Sequence, residues 1–128
     1  MESEGQNLTQ LGSGTNYKYA GPCVEMLETF ENKNLGIDYE IQLIFPEWTS
    51  KCPKTGQPDF ATITIDYIPN KVCIESKSLK LYFFAYRDEG AFMETLTNKI
   101  LNDLVKACSP KWMRVYAELT PGGVCRLM

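Results

Sequence analysis

The sequence predicts an α+β domain in which a four-stranded antiparallel sheet carries two helices on one face. Apolar and polar residues alternate in three segments, as in strands with one buried face: 39–45, 60–68 and 112–119. Between the second and third segments, two stretches carry apolar residues at helical spacing: 76–86 and 92–108. With a short fourth strand expected at 124–128, the order is strand, strand, helix, helix, strand, strand. This order is typical of helices packed on one side of an antiparallel sheet.

The second strand has the clearest alternation. One set of its side chains is expected to face the core: Ala61, Ile63, Ile65 and Tyr67. Thr62, Thr64 and Asp66 alternate with them and are expected on the opposite face. The strand before it, over 39–45, alternates in the same way, so the two strands are expected to pair as neighbours.

The helical pattern is clearer in the second of the two segments than in the first. The segment 76–86 has apolar residues at helical spacing, although its aromatic richness is also typical of a strand. We interpret it as a helix with Ser76 as its N-cap. In the segment 92–108, apolar residues recur every fourth position, and the helix is expected to end at Ser109–Pro110.

Composition limits the class of protein. The length of 128 residues fits one domain, expected over 14–128, and the polar, Gly- and Ser-rich residues 1–13 are expected to form a mobile arm. A net charge of −3 argues against nucleic acid as the main partner, because phosphate contacts need clustered Lys and Arg. No apolar run approaches the length of a membrane span, and the start lacks a signal-peptide pattern. We therefore expect a cytoplasmic protein without a membrane partner.

Cysteine and histidine counts restrict the chemistry. Five cysteines without C-x-x-C spacing are typical of free thiols in a reducing compartment. The absence of histidine excludes Ser-His and Cys-His catalysis and the usual histidine-containing zinc sites, and we expect no metal. Proton transfer must therefore use Asp, Glu, Lys, Tyr or Cys side chains.

The segment from Cys52 to Asp59, with the sequence CPKTGQPD, is the strongest candidate for a catalytic loop. Its two prolines and one glycine prevent a regular helix or a long strand, so the chain is expected to turn. A turn brings the Asp59 carboxylate back toward the Cys52 sulfur. A thiolate is a nucleophile and a nearby carboxylate can carry its proton, so this pair predicts covalent catalysis.

Three motifs together resemble the QueF family of nitrile reductases. Residues 52–60 (CPKTGQPDF) are similar to the active-site segment of that family, and 75–82 (ESKSLKLY) to its nicotinamide-cofactor signature. Residues 92–94 (FME) are similar to a third element, in which Met93 stands where the family usually has histidine. The resemblance extends over about 14–123. It implies the tunnelling fold and NADPH-dependent conversion of 7-cyano-7-deazaguanine to its aminomethyl base, in queuosine biosynthesis.

The resemblance also implies roles for individual residues. Cys52 would attack the nitrile carbon to form a thioimide, with Asp59 as general acid and base. Five residues would contact the deazaguanine substrate: Glu75, Ser76, Phe92, Met93 and Glu94. Glu94 could accept the ring N–H and the exocyclic amino group together.

The NADPH cofactor would meet Lys77, Lys80 and Tyr82, according to the same resemblance. The two lysines lie three residues apart and therefore share one helical face, where they could contact cofactor phosphates. A family turn that usually carries an arginine lacks it here, at residues 120–123.

The sequence also predicts self-association, and two alternative functions remain open. A single copy leaves one sheet face and the sheet edges without cover, which predicts self-association. The resemblance implies a ring homo-oligomer of ten copies, with active sites between subunits. One alternative function is an amidine-forming enzyme of the archaeosine pathway, which would use the same thioimide. The other is a non-catalytic module that binds the deazaguanine base.

Overall fold

The computed structural model describes residues 21–120 together with 126 and 127. The expected arm at 1–13 and most of the turn at 120–123 lie outside this range. The strands are β1 (Thr29–Glu31), β2 (Ile41–Lys51), β3 (Pro58–Ile68), β4 (Val72–Ile74), β5 (Trp112–Thr120) and β6 (Arg126–Leu127). The helices are α1 (Ser76–Phe84) and α2 (Met93–Cys108), with short 3₁₀ helices at Val24–Met26 and Ala85–Asp88.

The described strands form two sheets. The larger sheet has the order β2-β3-β5-β6, and all neighbouring strands in it are antiparallel. The smaller sheet pairs β1 with β4, also antiparallel. The predicted α+β class, with an antiparallel sheet and two helices, is confirmed. The smaller sheet was not predicted, because strands of three residues are too short to show a period.

The helix-facing side of the larger sheet forms the core. The β3 residues predicted to be buried, Ala61, Ile63, Ile65 and Tyr67, are all buried. They share one hydrophobic cluster with residues from both helices, which include Leu79, Phe83, Leu96, Ile100 and Leu104. The alternation of β3 and the four-residue period of α2 therefore correctly indicated the two surfaces that meet.

The opposite face of the sheet contains a buried charge. Asp66 is only 1% exposed, and its carboxylate accepts hydrogen bonds from Arg114 and from the Gln42 side-chain amide, each at 2.8 Å. The bond from Arg114, together with that from Gln42, holds the pKa of Asp66 below its usual value. Ile44 and Phe60 lie on this face and are 58% and 47% exposed. The face is therefore partly apolar, and the described residues leave Ile44 and Phe60 on it exposed.

The helix ends show one wrong prediction and one correct prediction. The N-cap of α1 is Glu75 rather than Ser76, because the Glu75 carboxylate accepts the Ser78 N–H at 2.7 Å. Ser78 is buried and donates its hydroxyl proton back to the Glu75 carbonyl at 2.8 Å. The end of α2 is as predicted: its last residue is Cys108, and Ser109 adopts a left-handed conformation with φ 44°.

Candidate active site

The Cys52 loop joins β2 to β3, the two strands predicted to pair as neighbours. The last paired residues of the hairpin are Lys51 and Pro58. Within the loop, the Cys52 N–H donates to the Gln57 carbonyl at 2.8 Å, and the Gly56 N–H donates to the Cys52 carbonyl at 2.9 Å. Gly56 has φ +73°, a conformation that side-chain-bearing residues rarely adopt. These two backbone hydrogen bonds therefore close the loop into a tight turn that begins at Cys52.

Groups of this turn influence the pKa of the Cys52 thiol. Cys52 is half-buried, and its pKa is lowered first by a hydrogen bond with the Thr55 side chain. The backbone N–H groups of Thr55 and Lys54 lower that pKa further, whereas the charge of Asp59 raises it. Since donors stabilise the anion, the turn favours the nucleophilic thiolate.

Asp59 lies on the strand that follows the Cys52 loop. It is half-buried at the start of β3, directly opposite Ser50, and its backbone carbonyl accepts the Thr49 hydroxyl at 2.9 Å. Its negative charge raises the pKa of Cys52. The hairpin therefore places Asp59 within electrostatic influence of Cys52, and the catalytic roles of the two residues stay a prediction.

Ser50 is a further polar residue at this position. Its hydroxyl is completely buried and has no hydrogen-bond partner among the described residues. Residues directly opposite in an antiparallel pair have side chains on the same face, so Ser50 and Asp59 are neighbours on the helix side of the sheet. The sequence offered no signal for this contact, because it depends on the register of the hairpin.

The segment before α2 runs beside the Cys52 loop. The Lys51 N–H donates to the Glu89 carbonyl at 2.9 Å, and Lys51 forms a parallel bridge with Gly90. The backbone at Gly90 approaches Pro53 so closely that an added Cβ would lie 4.0 Å from the Pro53 Cα. This contact places the start of α2 on the same side of the molecule as the loop.

The three residues expected to hold the substrate from α2 have different environments. Phe92 is 56% exposed, and Glu94 in the first helical turn is also exposed. Met93, in contrast, is 7% exposed and belongs to the hydrophobic core. Within one chain, Phe92 and Glu94 can therefore contact a ligand, while Met93 packs mainly inward.

Glu75 and Ser76 lie at the opposite end of α1 from the Cys52 loop. The nine residues of α1 rise about 1.5 Å each, and a 3₁₀ turn follows before Glu89 reaches the loop. A single chain therefore does not bring Glu75 to its own Cys52.

The two lysines expected to contact the cofactor lie along α1. Lys77 and Lys80 are both exposed, three residues apart on the helix. Lys80 borders a cavity of about 400 Å³ between α1 and β2, whose walls include Phe45, Thr49 and Phe84. The Lys80 ammonium group beside a largely apolar cavity, which Glu47 also lines, fits the chemistry of a phosphate-bearing cofactor with a flat ring, and Lys77 lies on the same helix outside the cavity.

Tyr82 does not fit its expected cofactor role. Its side chain is completely buried, and its hydroxyl hydrogen-bonds to the Tyr86 hydroxyl and the Asp103 carboxylate, each at 2.7 Å. Burial and the neighbouring Tyr86 and Asp103 raise the pKa of Tyr82. Lys99 donates to the same carboxylate oxygen at 3.0 Å. Tyr82 therefore joins α1 to α2 and presents no surface to a ligand.

A metal cluster and a membrane-spanning helix are both absent from the described residues. No group of three or more His, Cys, Asp or Glu side chains in this part of the chain could hold a metal ion. Among the described helices, none has both the length and the apolar character needed to cross a membrane.

Fold and site together define an α+β domain with a half-buried thiol on a hairpin loop and a carboxylate on the strand that follows it. Residues 58–127 match the sequence model of a family described as QueF-like protein. The match begins six residues after Cys52, so it covers Asp59, both helices and the cofactor motif. This match spans more than half of the 128 residues. The chain belongs to the QueF family.

Curated relatives give the same family assignment. A relative from Nitratidesulfovibrio vulgaris is 49% identical over 122 residues, which cover 95% of this chain and 74% of the relative. One from Bacillus subtilis is 50% identical over 123 residues, with the same two coverages. One from Thioalkalivibrio sulfidiphilus is 59% identical over 97 residues, covering 76% of this chain and 75% of the relative. All three are named NADPH-dependent 7-cyano-7-deazaguanine reductase.

A solved structure also has this fold. The apo form of an archaeosine synthase described as QueF-Like aligns with a TM-score of 0.64 and 20% sequence identity. The alignment covers 69% of this chain and 88% of that structure. At this identity the likeness concerns the fold alone.

The buried position of Tyr82 predicts a loss of stability, rather than of cofactor binding, in Tyr82→Phe. The change removes a hydroxyl that bonds Tyr86 and Asp103, and we expect about 1–2 kcal/mol lower free energy of unfolding. Chemical denaturation measures this value, and the KM for NADPH should stay unchanged. Tyr116→Phe, at a half-buried tyrosine of β5, is the matched control and should unfold like the wild type. A raised KM without loss of stability would restore the cofactor role.

Proposed function

We propose that this protein is an NADPH-dependent oxidoreductase that converts the nitrile of 7-cyano-7-deazaguanine to an aminomethyl group in queuosine biosynthesis. The observation that carries the proposal is the Cys52 loop, where turn donors lower the pKa of a half-buried thiol beside Asp59. Relatives at 49–59% identity, named for this reaction, support the substrate and the cofactor.

The first step is covalent capture of the substrate by Cys52. The thiolate sulfur attacks the electrophilic nitrile carbon, a C–S bond forms, and one electron pair of the triple bond moves to nitrogen. Asp59 carries the thiol proton and delivers it to that nitrogen, which gives a neutral thioimide on Cys52. The hydrogen-bonded loop would assist this step by holding Cys52 in a fixed position relative to Asp59 at the start of β3.

Substrate orientation is assigned to the start of α2. The exposed Glu94 carboxylate accepts hydrogen bonds from the N–H and the exocyclic amino group on one edge of the deazaguanine. The exposed Phe92 ring offers a surface on which the flat base can stack. Both residues lie on the segment that follows the contact between Gly90 and the Cys52 loop.

Cofactor binding is assigned to α1. When bound, NADPH supplies the hydride equivalents that reduce the captured nitrile. Lys77 and Lys80 would hold its phosphates through their exposed ammonium groups, and the apolar walls beside Lys80 would exclude water from the ring. Tyr82 supports these residues indirectly, because its hydrogen bonds fix α1 against α2.

Completion of the site by a second subunit is part of the proposal. Glu75 and Ser76 lie at the far end of α1, so they would contact the substrate bound to Cys52 of another copy. Two features of the described residues support self-association: Ile44 and Phe60 are exposed on the outer sheet face, and β2 is an edge strand paired on its outer side only at Lys51. We propose a ring homo-oligomer of the tunnelling-fold type, with ten copies.

The covalent step predicts an adduct in the absence of cofactor. Protein mixed with 7-cyano-7-deazaguanine should gain the full mass of the base on Cys52, as measured by intact-protein and peptide mass spectrometry. Cys52→Ala should abolish the adduct, while Cys23→Ala, at another half-buried cysteine, should not. Added NADPH should then be oxidised and release the aminomethyl base.

Other outcomes of this experiment would overturn the proposal. An adduct on Cys73 or Cys108 would remove Cys52 from its role. A Cys52 adduct that ammonia converts to an amidine, with no NADPH oxidation, would indicate the amidine-forming alternative. Bound base without any adduct would indicate the non-catalytic module.

Met93 predicts slow turnover that a histidine can increase. A positioned acid–base group typically contributes about 10²–10⁴-fold in rate, and methionine cannot supply it. We expect Met93→His to raise kcat at saturating NADPH by at least about 10-fold, the lower part of that effect. Adduct formation should change little, because Asp59 still carries the thiol proton.

Met93→Leu is the matched control, since it keeps the volume and the apolar character of this 7% exposed position. Its kcat should equal that of the wild type. Steady-state and single-turnover assays of the three proteins make the comparison. If Met93→His turns over no faster, the site functions around methionine and the assigned role of this position is wrong.

The shared site predicts complementation between two inactive variants. Light scattering should give ten copies, and Cys52→Ala and Glu75→Gln should each be inactive alone. Glutamine retains an acceptor for the Ser78 N–H, so α1 keeps its cap. After subunit exchange of an equal mixture, about a quarter of the sites should combine an intact Cys52 with an intact Glu75 from another copy. A stable active monomer, or no recovery of activity after exchange, would contradict the shared site.

A further inference from the structure

Ser50 carries a hydroxyl that no described residue satisfies. The residue lies near the end of β2 and is completely buried, and its hydroxyl oxygen has no hydrogen-bond partner among the described residues. A buried hydroxyl without a partner has lost its bonds to water and has gained none in return. Because native proteins rarely retain such a group without a catalytic role or an ordered water molecule, the surroundings of Ser50 indicate its purpose.

The residues beside and above Ser50 offer no free acceptor for its hydroxyl proton. Trp48 lies two residues earlier on the same face of β2, opposite Ala61, and its indole N–H is a donor only. Tyr86 of the adjoining 3₁₀ helix covers this part of the strand, since its ring centroid lies 5.5 Å from that of Trp48. The Tyr86 hydroxyl is already hydrogen-bonded to the Tyr82 hydroxyl at 2.7 Å.

A suitable acceptor lies directly across the hairpin, on Asp59. Ser50 and Asp59 are partners in the register of β2 and β3, and the bond from the Thr49 hydroxyl to the Asp59 carbonyl at 2.9 Å fixes the two strands there. Directly opposite residues have Cβ atoms about 4.5–5.5 Å apart. A charged carboxylate only accepts hydrogen bonds. Rotation of the half-buried Asp59 side chain is therefore enough to bring a carboxylate oxygen to the Ser50 hydroxyl.

We propose that Ser50 is a positioning residue that donates its hydroxyl hydrogen bond to one oxygen of the Asp59 carboxylate and leaves the other oxygen directed at the reacting atoms. This inference rests on the proposed roles of Cys52 and Asp59. Ser50 itself contacts neither the sulfur nor the substrate. The bond is not formed in the single chain, and it forms when the Asp59 carboxylate turns toward β2.

The bond acts in the step that captures the nitrile. Asp59 takes the proton of the Cys52 thiol, the sulfur electron pair forms the C–S bond, and one pair of the C≡N triple bond moves to nitrogen. Asp59 then gives the proton to that nitrogen, and a neutral thioimide results. Both proton transfers need a carboxylate oxygen within hydrogen-bond reach of its partner. With one oxygen held by Ser50, the other performs both transfers from one position.

The lysines near the hairpin do not replace this hydroxyl. The Lys51 ammonium lies 3.5 Å from the Asp88 carboxylate, so its charge is paired on the adjoining 3₁₀ helix. Side chains alternate along a strand, so Lys51 and Ser50 also point to opposite faces of β2. Lys54 is exposed in the loop. A buried donor on the face of Asp59 is therefore supplied by Ser50.

Two reagents that differ in their need for a proton test the inference. The nitrile base needs a proton delivered to its nitrogen, whereas iodoacetamide alkylates the sulfur and releases iodide without one. We expect Ser50→Ala to form the Cys52 adduct with 7-cyano-7-deazaguanine about 10- to 100-fold more slowly than the wild type, because a misplaced acid–base group loses much of its effect. Alkylation of Cys52 at about pH 10, where a cysteine thiol is already ionised, should proceed at the wild-type rate. Peptide mass spectrometry measures both rates.

Thr97→Val is the matched control. Thr97 is also buried with a hydroxyl that lacks a partner among the described residues, but it lies on α2 and not on the hairpin. This variant should react with both reagents at wild-type rates. If Ser50→Ala slows both reactions alike, the change has only deformed the hairpin and the inference is wrong. Wild-type rates of Ser50→Ala with both reagents would also overturn it.

A double-mutant cycle shows whether Ser50 acts through Asp59. Asp59→Asn removes the proton carrier, so adding Ser50→Ala to it should slow adduct formation no further. A further loss of the same size would mean that the two residues act independently, and would overturn the inference. If wild-type Cys52 forms no adduct at all, the proposed function fails and the inference fails with it. If the wild type forms the adduct and Ser50→Ala forms it equally fast, the inference alone fails.

Discussion

The pairing of β2 with β3, which ends with Lys51 opposite Pro58, is the constraint on which the site depends. This register closes the Cys52 loop and places Asp59 opposite Ser50, on the helix side of the sheet. A slip of one residue would turn Asp59 to the other face, because side chains alternate along a strand. The same slip would turn Ile63 and Ile65 out of the core. Burial of these apolar side chains therefore also fixes the face of the sheet on which Asp59, the proposed acid–base group, lies.

Different interactions hold the Cys52 loop and the start of α1 in place. The Cys52 loop is held by its own backbone bonds and by the segment from Glu89 to Gly90, so its shape is complete within one chain. The start of α1 is held by the Glu75 cap and by the buried Tyr82, which hydrogen-bonds α2 through Asp103. One chain therefore holds the Cys52 loop in shape and presents a second surface, at Glu75 and Lys77, at the other end of α1. The proposed ring would bring these two surfaces together.

Most of the fold could be predicted from the sequence, because its long elements bury one face and show the matching period. The alternation of β3 and the four-residue period of α2 are the clearest cases. The pairing of β1 with β4 could not be predicted, since Val72–Ile74 is too short to have a period. Tyr82 shows two signals in conflict: its helical spacing with Leu79 and Phe83 indicates burial, whereas the motif implies a ligand contact. Tyr82 is completely buried, as its spacing indicates. The buried position of Ser50 opposite Asp59 could not be predicted, because it depends on the register of the hairpin.

Neutral groups of a single turn lower the pKa of the Cys52 thiol. Dissolved salt screens the attraction between separated, exposed charges, but has little effect on the interactions of neutral groups with a half-buried sulfur. The proposed capture of the substrate by Cys52 should therefore tolerate high ionic strength. The proposed binding of cofactor phosphates by the exposed Lys77 and Lys80 depends on charges in contact with water, and should weaken as ionic strength rises. High ionic strength should thus weaken cofactor binding well before it affects the reactivity of the cysteine.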